Sequence, residues 1–169
     1  MIFTVKQGKH YSDGLIHKAL HLFTFTGKLS RTVMFDESCE YSLPAEDQRD
    51  VNKLFGYSVG FDHHQNSARF GWHWYRGSIY ASAYLYRDGE RIDLPLTKLD
   101  LKTWYQFSLE AQAESDCFII RDHESTLVIA NIERRAKFRG GIQLWPYFGG
   151  NRSAPHDVQI RMESLPLNV

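Results

Sequence analysis

Residues 62–86, DHHQNSARFGWHWYRGSIYASAYLY, hold the densest set of side chains suited to chemistry. Asp62, His63, His64, Gln65 and Asn66 open the stretch as a polar cluster. Arg69, His73, Tyr80, Tyr84 and Tyr86 follow at spacings that align them on one face of extended chain, because strand side chains alternate between two sides. Planar polar groups bind hydroxyls in the plane, and aromatic rings offer flat apolar surfaces that also carry polar tips. Asn66, Arg69, His73, Tyr80 and Tyr84, joined by Gln106 and Trp145 from later strands, are therefore expected to line a groove whose partner is a glycan or polysaccharide. The competing reading is that an exposed strand face gathers Tyr and Arg from propensity and cross-strand pairing alone.

Other chemistries are less well supplied. Adjacent residues of a regular strand point to opposite sides, so His63 and His64 serve one metal only from a loop. With Asp62 beside them and His156-Asp157 elsewhere, nitrogen and oxygen ligands for zinc or calcium exist, but hydrogen bonding that fixes the loop is the simpler role, and no cofactor is expected. His17 and His21 are four apart, a zinc-like spacing on a helix, without the Glu of an HExxH pattern. A glycosidase needs two carboxylates across the scissile bond. No ExDxxE-like run supplies them, and Glu110, on the face of Gln106, has no evident partner. The glycines of GGNRSAPHD, residues 149–157, lack the arrangement of a phosphate loop.

The elements that must position these residues read almost entirely as β. Within the opening stretch, residues 67–75 and 78–86 alternate around a turn at Arg76-Gly77. Ala68, Phe70, Trp72 and Trp74, with Ile79, Ala81, Ala83 and Leu85, form the apolar set expected to face the core. Asp88-Gly89 marks a second hairpin turn, leading into 91–96. Further strands are expected at 2–6, 22–26, 29–35, 40–43, 54–61, 103–112, 117–121, 127–132, 142–148 and 157–163. In 54–61, Phe55, Tyr57, Val59 and Phe61 alternate against Leu54, Gly56, Ser58 and Gly60, and the small second face leaves room for a close approach. Residues 44–52 are charged and read as a loop, and 8–21 is the one plausible helix, capped by Ser12 or Asp13.

About eleven to thirteen short strands at regular turn spacing predict an all-β, two-sheet antiparallel jelly-roll sandwich with little helix. The 169 residues suit a single domain, 1–169, large enough to form a core without disulfide or metal. Twenty basic and twenty acidic residues balance, which removes the global charge expected of a nucleic-acid binder. Cys39 and Cys117 lack CxxC spacing and read as buried free thiols rather than a disulfide. Residues 1–11 carry no signal-peptide pattern and no run is long enough to span a membrane. The chain as written is thus expected in the cytoplasm, unless it is exported by another route or derives from a trimmed precursor.

FDESCEY at 35–41, NKLFGYS at 52–58, HHQNSARFGW at 63–72 and WPYFGG with APHD at 145–157 resemble strings in short bacterial β-sandwich proteins of unassigned function. More loosely, the strand count and the YFGG before a final alternating strand resemble the concanavalin A-like lectin and glucanase jelly rolls. That class implies either a non-catalytic, lectin-like module or a polysaccharide lyase acting on a uronate-containing glycan. The lyase resemblance implies Tyr147 or His73 as base, with Arg69 or Gln106 neutralising the substrate carboxylate. A structural or attachment protein using the same face as an oligomer interface is the third expectation.

Overall fold

The computed structural model describes residues 1–12, 27–134 and 141–164. The expected strand at 22–26, the histidines His17 and His21, and most of the expected helix lie outside these residues; residues 8–12 form a turn and two isolated β-bridges, Ser12 to Val5 and Tyr11 to Tyr147. Among the described residues, eleven strands pair antiparallel throughout: β1 (Ile2–Val5), β2 (Lys28–Phe35), β3 (Asn52–Ser58), β4 (Asn66–Tyr75), β5 (Ser78–Arg87), β6 (Glu90–Leu99), β7 (Trp104–Ala111), β8 (Ser115–Arg121), β9 (Thr126–Glu133), β10 (Ile142–Leu144) and β11 (Val158–Ser164). They form a six-stranded sheet, β1-β11-β2-β7-β8-β9, and a five-stranded sheet, β10-β3-β4-β5-β6. The two pack as a jelly-roll β-sandwich, with no α-helix among the described residues.

Period-2 patterning and turn chemistry account for the centre of the five-stranded sheet. Arg76 and Gly77, and likewise Asp88 and Gly89, take positive φ at both central turn positions, with values of 46, 79, 52 and 85°. Two-residue hairpins of the right twist require that conformation. The tight turns fix the register, and the expected apolar sets of β4 and β5 face the core. Phe35, Phe107, Phe118 and Ile120 from the other sheet close on them. Phe70 meets Phe107 and Phe118 edge to face, at centroid distances of 4.9 and 5.0 Å.

Three expectations change. Residues 40–43 form no strand; the Tyr41 ring is buried and its hydroxyl accepts from Asn52 Nδ2 and the Trp74 amide. The alternation expected in 54–61 is broken by a β-bulge. Lys53 opposes Gly71 and Gly56 opposes Arg69, so Leu54 and Phe55 share one partner, and both are fully buried. The close approach foreseen at Gly56 is by the neighbouring strand, since a Cβ there would lie 2.0 Å from the Ala68 carbonyl oxygen. Finally, β10 pairs for three residues only, and Tyr147 then bridges to Lys53 and Tyr11. Cys39 and Cys117 are both free and buried.

At one end the sheets are joined by a buried polar group. Asp116 on β8 is fully buried; its Oδ2 accepts from Arg87 Nη2 on β5 at 2.6 Å, and its Oδ1 from Arg134 Nη1 at 2.8 Å. The Tyr57 hydroxyl of β3 donates to the same Oδ1.

Candidate functional site

The outward face of the five-stranded sheet is laid out in rows by its register. Arg69 lies between Gly56 and Tyr84, with Asp93 beyond; Ser67 lies beside Tyr86; His73 lies beside Tyr80. Because Gly56 has no side chain, the Arg69 guanidinium turns toward β10, where Nη2 donates to the Trp145 carbonyl oxygen at 2.5 Å. The bulge brings Lys53 onto this same face. Its Nζ donates to the Gly149 carbonyl oxygen at 3.0 Å and stands 4.8 Å from the Tyr84 ring centroid and 5.3 Å from that of Tyr147.

Tyr147 is held there by backbone and by rings. Its amide and carbonyl exchange two hydrogen bonds with Lys53, at 2.9 and 2.7 Å. His10 stacks on it at 5.1 Å and Tyr11 meets it edge-on at 4.9 Å. Trp145 stacks on Phe3 at 5.7 Å. The far rim is the loop carrying His63 and His64, whose rings lie 4.0 Å apart, with His64 edge-on to Tyr86 at 5.1 Å. These residues enclose an open groove of about 570 Å³.

Arg69, Tyr84 and Trp145, expected on a binding face, and Tyr147, expected only as the base of a lyase, therefore line one groove. The other expected residues do not join it. His73 stacks on Tyr80, with centroids 5.4 Å apart, but the space above the intervening Gly71 is taken by Val51. A Cβ at position 71 would stand 2.4 Å from Val51 Cγ1, so Val51 separates the His73–Tyr80 pair from the Arg69–Tyr84 row. The Asn66 side chain is spent on the β5–β6 turn, exchanging hydrogen bonds of 3.4 and 3.3 Å with Asp88. Gln106 lies on β7, between Thr32 and Arg121 in the other sheet, and cannot converge with Arg69. Lys53 is the functional candidate that periodicity overlooked, because the bulge reverses its face.

The electrostatics of the groove are set by burial. It lowers Lys53 to about 8, with the neighbouring charge of Arg69 adding to the effect. Arg69 is lowered to about 10, again by burial, and stays charged at neutral pH. Burial raises Tyr84, reinforced by its hydrogen bond to Tyr86, and raises Tyr147, reinforced by Tyr11. Burial also lowers His63, with His64 contributing.

Paired-carboxylate chemistry finds no support in the groove, since none of its described lining residues is acidic. Glu110 instead pairs with Lys28 at 2.7 Å in the other sheet. His156 and Asp157, candidates for a metal, are otherwise engaged. His156 Nε2 is 2.8 Å from the Ser38 carbonyl oxygen, and Asp157 accepts from Lys6 Nζ and the Gln7 amide. Among the described residues no group of three or more His, Cys, Asp or Glu is placed to hold a metal, and no helix is long and apolar enough to cross a membrane.

No family model matches the chain, and no curated sequence matches it. Solved structures do match in shape. A functionally unknown protein from Saccharomyces cerevisiae superposes with a TM-score of 0.52 at 7% identity, over 83% of this chain and 71% of that one. A carbohydrate-binding module from Bacillus subtilis gives 0.45 at 9% identity, over 82% and 71%. The catalytic domain of a glycoside hydrolase family 131 protein from Coprinopsis cinerea gives 0.46 at 13% identity, over 86% and 59%. At such identities the likeness is one of fold, and the chain is a jelly-roll β-sandwich.

Proposed function

We propose that this groove binds a carbohydrate without transforming it. The observation that carries the reading is the convergence of the Tyr84, Tyr86 and Tyr147 rings with Lys53 and Arg69 in one open site of about 570 Å³. That combines flat apolar surfaces with fixed donors, the usual composition of a ligand pocket. Isothermal titration against a panel of oligosaccharides tests it. Tyr84→Ala is expected to abolish binding to the sugar found, whereas Tyr80→Ala, behind Val51, is expected to leave it within about twofold. Equal losses from both variants, or silence across the panel, would count against the groove.

A polysaccharide lyase is the second reading, because Arg69 and Tyr147 share the groove. Its other two residues, His73 and Gln106, lie outside, and the Tyr147 phenol is raised, the wrong direction for a base. Following uronate polymers for the absorbance of an unsaturated product decides it; steady product formation lost in Tyr147→Phe would replace the binding reading.

A further inference from the structure

Two cations sit in the groove, and neither is paired with a carboxylate among the described residues. Lys53 is 9% exposed and Arg69 is 7% exposed, yet neither forms an ion pair with any described residue. Their hydrogen bonds go to backbone carbonyls, Gly149 for Lys53 and Trp145 for Arg69, which satisfy donors without cancelling charge. Arg69 Nε is buried with no acceptor at all, and so is Nε2 of Gln143 on the same groove wall. The surrounding carboxylates do not fill the gap. Asp50 and Asp93 both act on Lys53 only at a distance, and neither is in ion-pair contact with it.

The same chain treats another pair of buried cations differently. Arg87 and Arg134 are as deeply buried, at 3% and 5% exposure, and Asp116 lies between them in hydrogen-bond contact with both. A buried charge left unpaired costs several kcal/mol, so such groups are ordinarily matched within the protein. Where the match is withheld, and the unmatched cations open onto a groove, the counter-charge is set to arrive with the ligand. Charge-assisted hydrogen bonds to an oxyanion are about twice as strong as neutral ones. A neutral sugar would meet the donors and leave both charges uncompensated.

We infer that the ligand is an acidic glycan, whose carboxylate or sulfate groups are received by Lys53 and Arg69. This rests on the groove binding a carbohydrate, as proposed above. The test is calorimetric titration of the full chain with three sets of oligosaccharides: uronate oligomers, sulfated galactans and neutral galactans of matched length. Acidic sugars are expected to bind at least about tenfold more tightly than neutral ones, with an affinity that falls as sodium chloride is raised. Whether the uronates or the sulfated galactans bind identifies the anionic group. Arg69→Gln and Lys53→Gln are each expected to weaken acidic binding about tenfold or more and to remove most of the preference for acidic over neutral sugars.

The wild-type chain supplies a second readout that does not depend on the folding of either variant: its melting temperature should rise with acidic oligomers more than with neutral ones. Neutral sugars binding as tightly as acidic ones would overturn the inference and leave the carbohydrate reading standing. No binding from any set would remove both. Acidic binding that survives both substitutions would move the anion site elsewhere and overturn the assignment.

Discussion

Lys53 is where burial and charge conflict most directly. Its folded value of about 8 stands below the ordinary 10.5 because burial and Arg69 disfavour the ammonium. Below pH 8 both folded and unfolded chains hold the proton, and the folded state bears the whole cost of confining it. Between about 8 and 10.5 the unfolded chain still binds the proton that the folded chain has released, so this residue's contribution to stability rises with pH. The change is on the order of 3 kcal/mol at 1.36 kcal/mol per pH unit. Comparing the melting temperatures of wild type and Lys53→Met from pH 7 to 10 isolates it. The substitution is expected to be neutral or stabilising at pH 7 and to lose that advantage by pH 10. An advantage that grows with pH would show that the lysine is not held as a confined cation. Acidic-glycan binding runs the opposite way: as Lys53 deprotonates through pH 8, affinity should fall. Titrations at pH 7 and 9.5 read that loss, and an affinity unchanged at 9.5 would remove Lys53 from the binding step.

Strands differ in how openly their sequence declares them. β4 and β5 are regular, closed by turns whose residues adopt positive φ, and their alternation gave both faces correctly. β3 does not obey the same rule. Counting by two from Phe55 and Tyr57 puts Lys53 in the core, but the bulge inserts a residue, sends Leu54 and Phe55 both inward, and turns Lys53 outward. A local irregularity fixed by packing leaves no periodic signature, which is why Lys53 was not legible. Gln106 failed for another reason. Period reveals which face a residue takes but not which sheet its strand joins, and β7 belongs beside β2 and β8. His73 was placed on the correct face, and only the tertiary position of Val51 separates it from the groove. The bulge itself is testable. A methyl at Gly56 would meet backbone, 2.0 Å from the Ala68 oxygen and 2.5 Å from Arg69 Cα, and cannot be absorbed by a rotamer change. Gly56→Ala is expected to cost about 3 kcal/mol or more in urea unfolding. A loss under about 0.5 kcal/mol would mean that β3 and β4 can separate freely there.

Neither sheet is continuous in sequence. The five-stranded sheet takes β3 to β6 and then β10, while the six-stranded sheet takes β1, β2, β7 to β9 and β11. β1 pairs with β11, near opposite ends of the chain, so no half of it owns a sheet. Phe70 and Trp72 from one sheet and Phe35, Phe107 and Phe118 from the other belong to a single apolar cluster. Asp116 adds a polar tie between them, reaching Arg87 and Tyr57 across the sandwich. Such non-local pairing folds slowly, in milliseconds to seconds, and is expected to unfold as one unit. Asp116→Ala would remove the carboxylate from between the buried guanidiniums of Arg87 and Arg134, at a cost of about 3–5 kcal/mol. If the sheets depend on each other, the variant melts lower yet still in one step. Far-UV circular dichroism, tryptophan fluorescence and amide exchange in β4 and in β8 would all report the same transition. If instead the amides of β8 open well before those of β4, Asp116 is the hinge between two separable layers, and the sandwich is not a single cooperative unit.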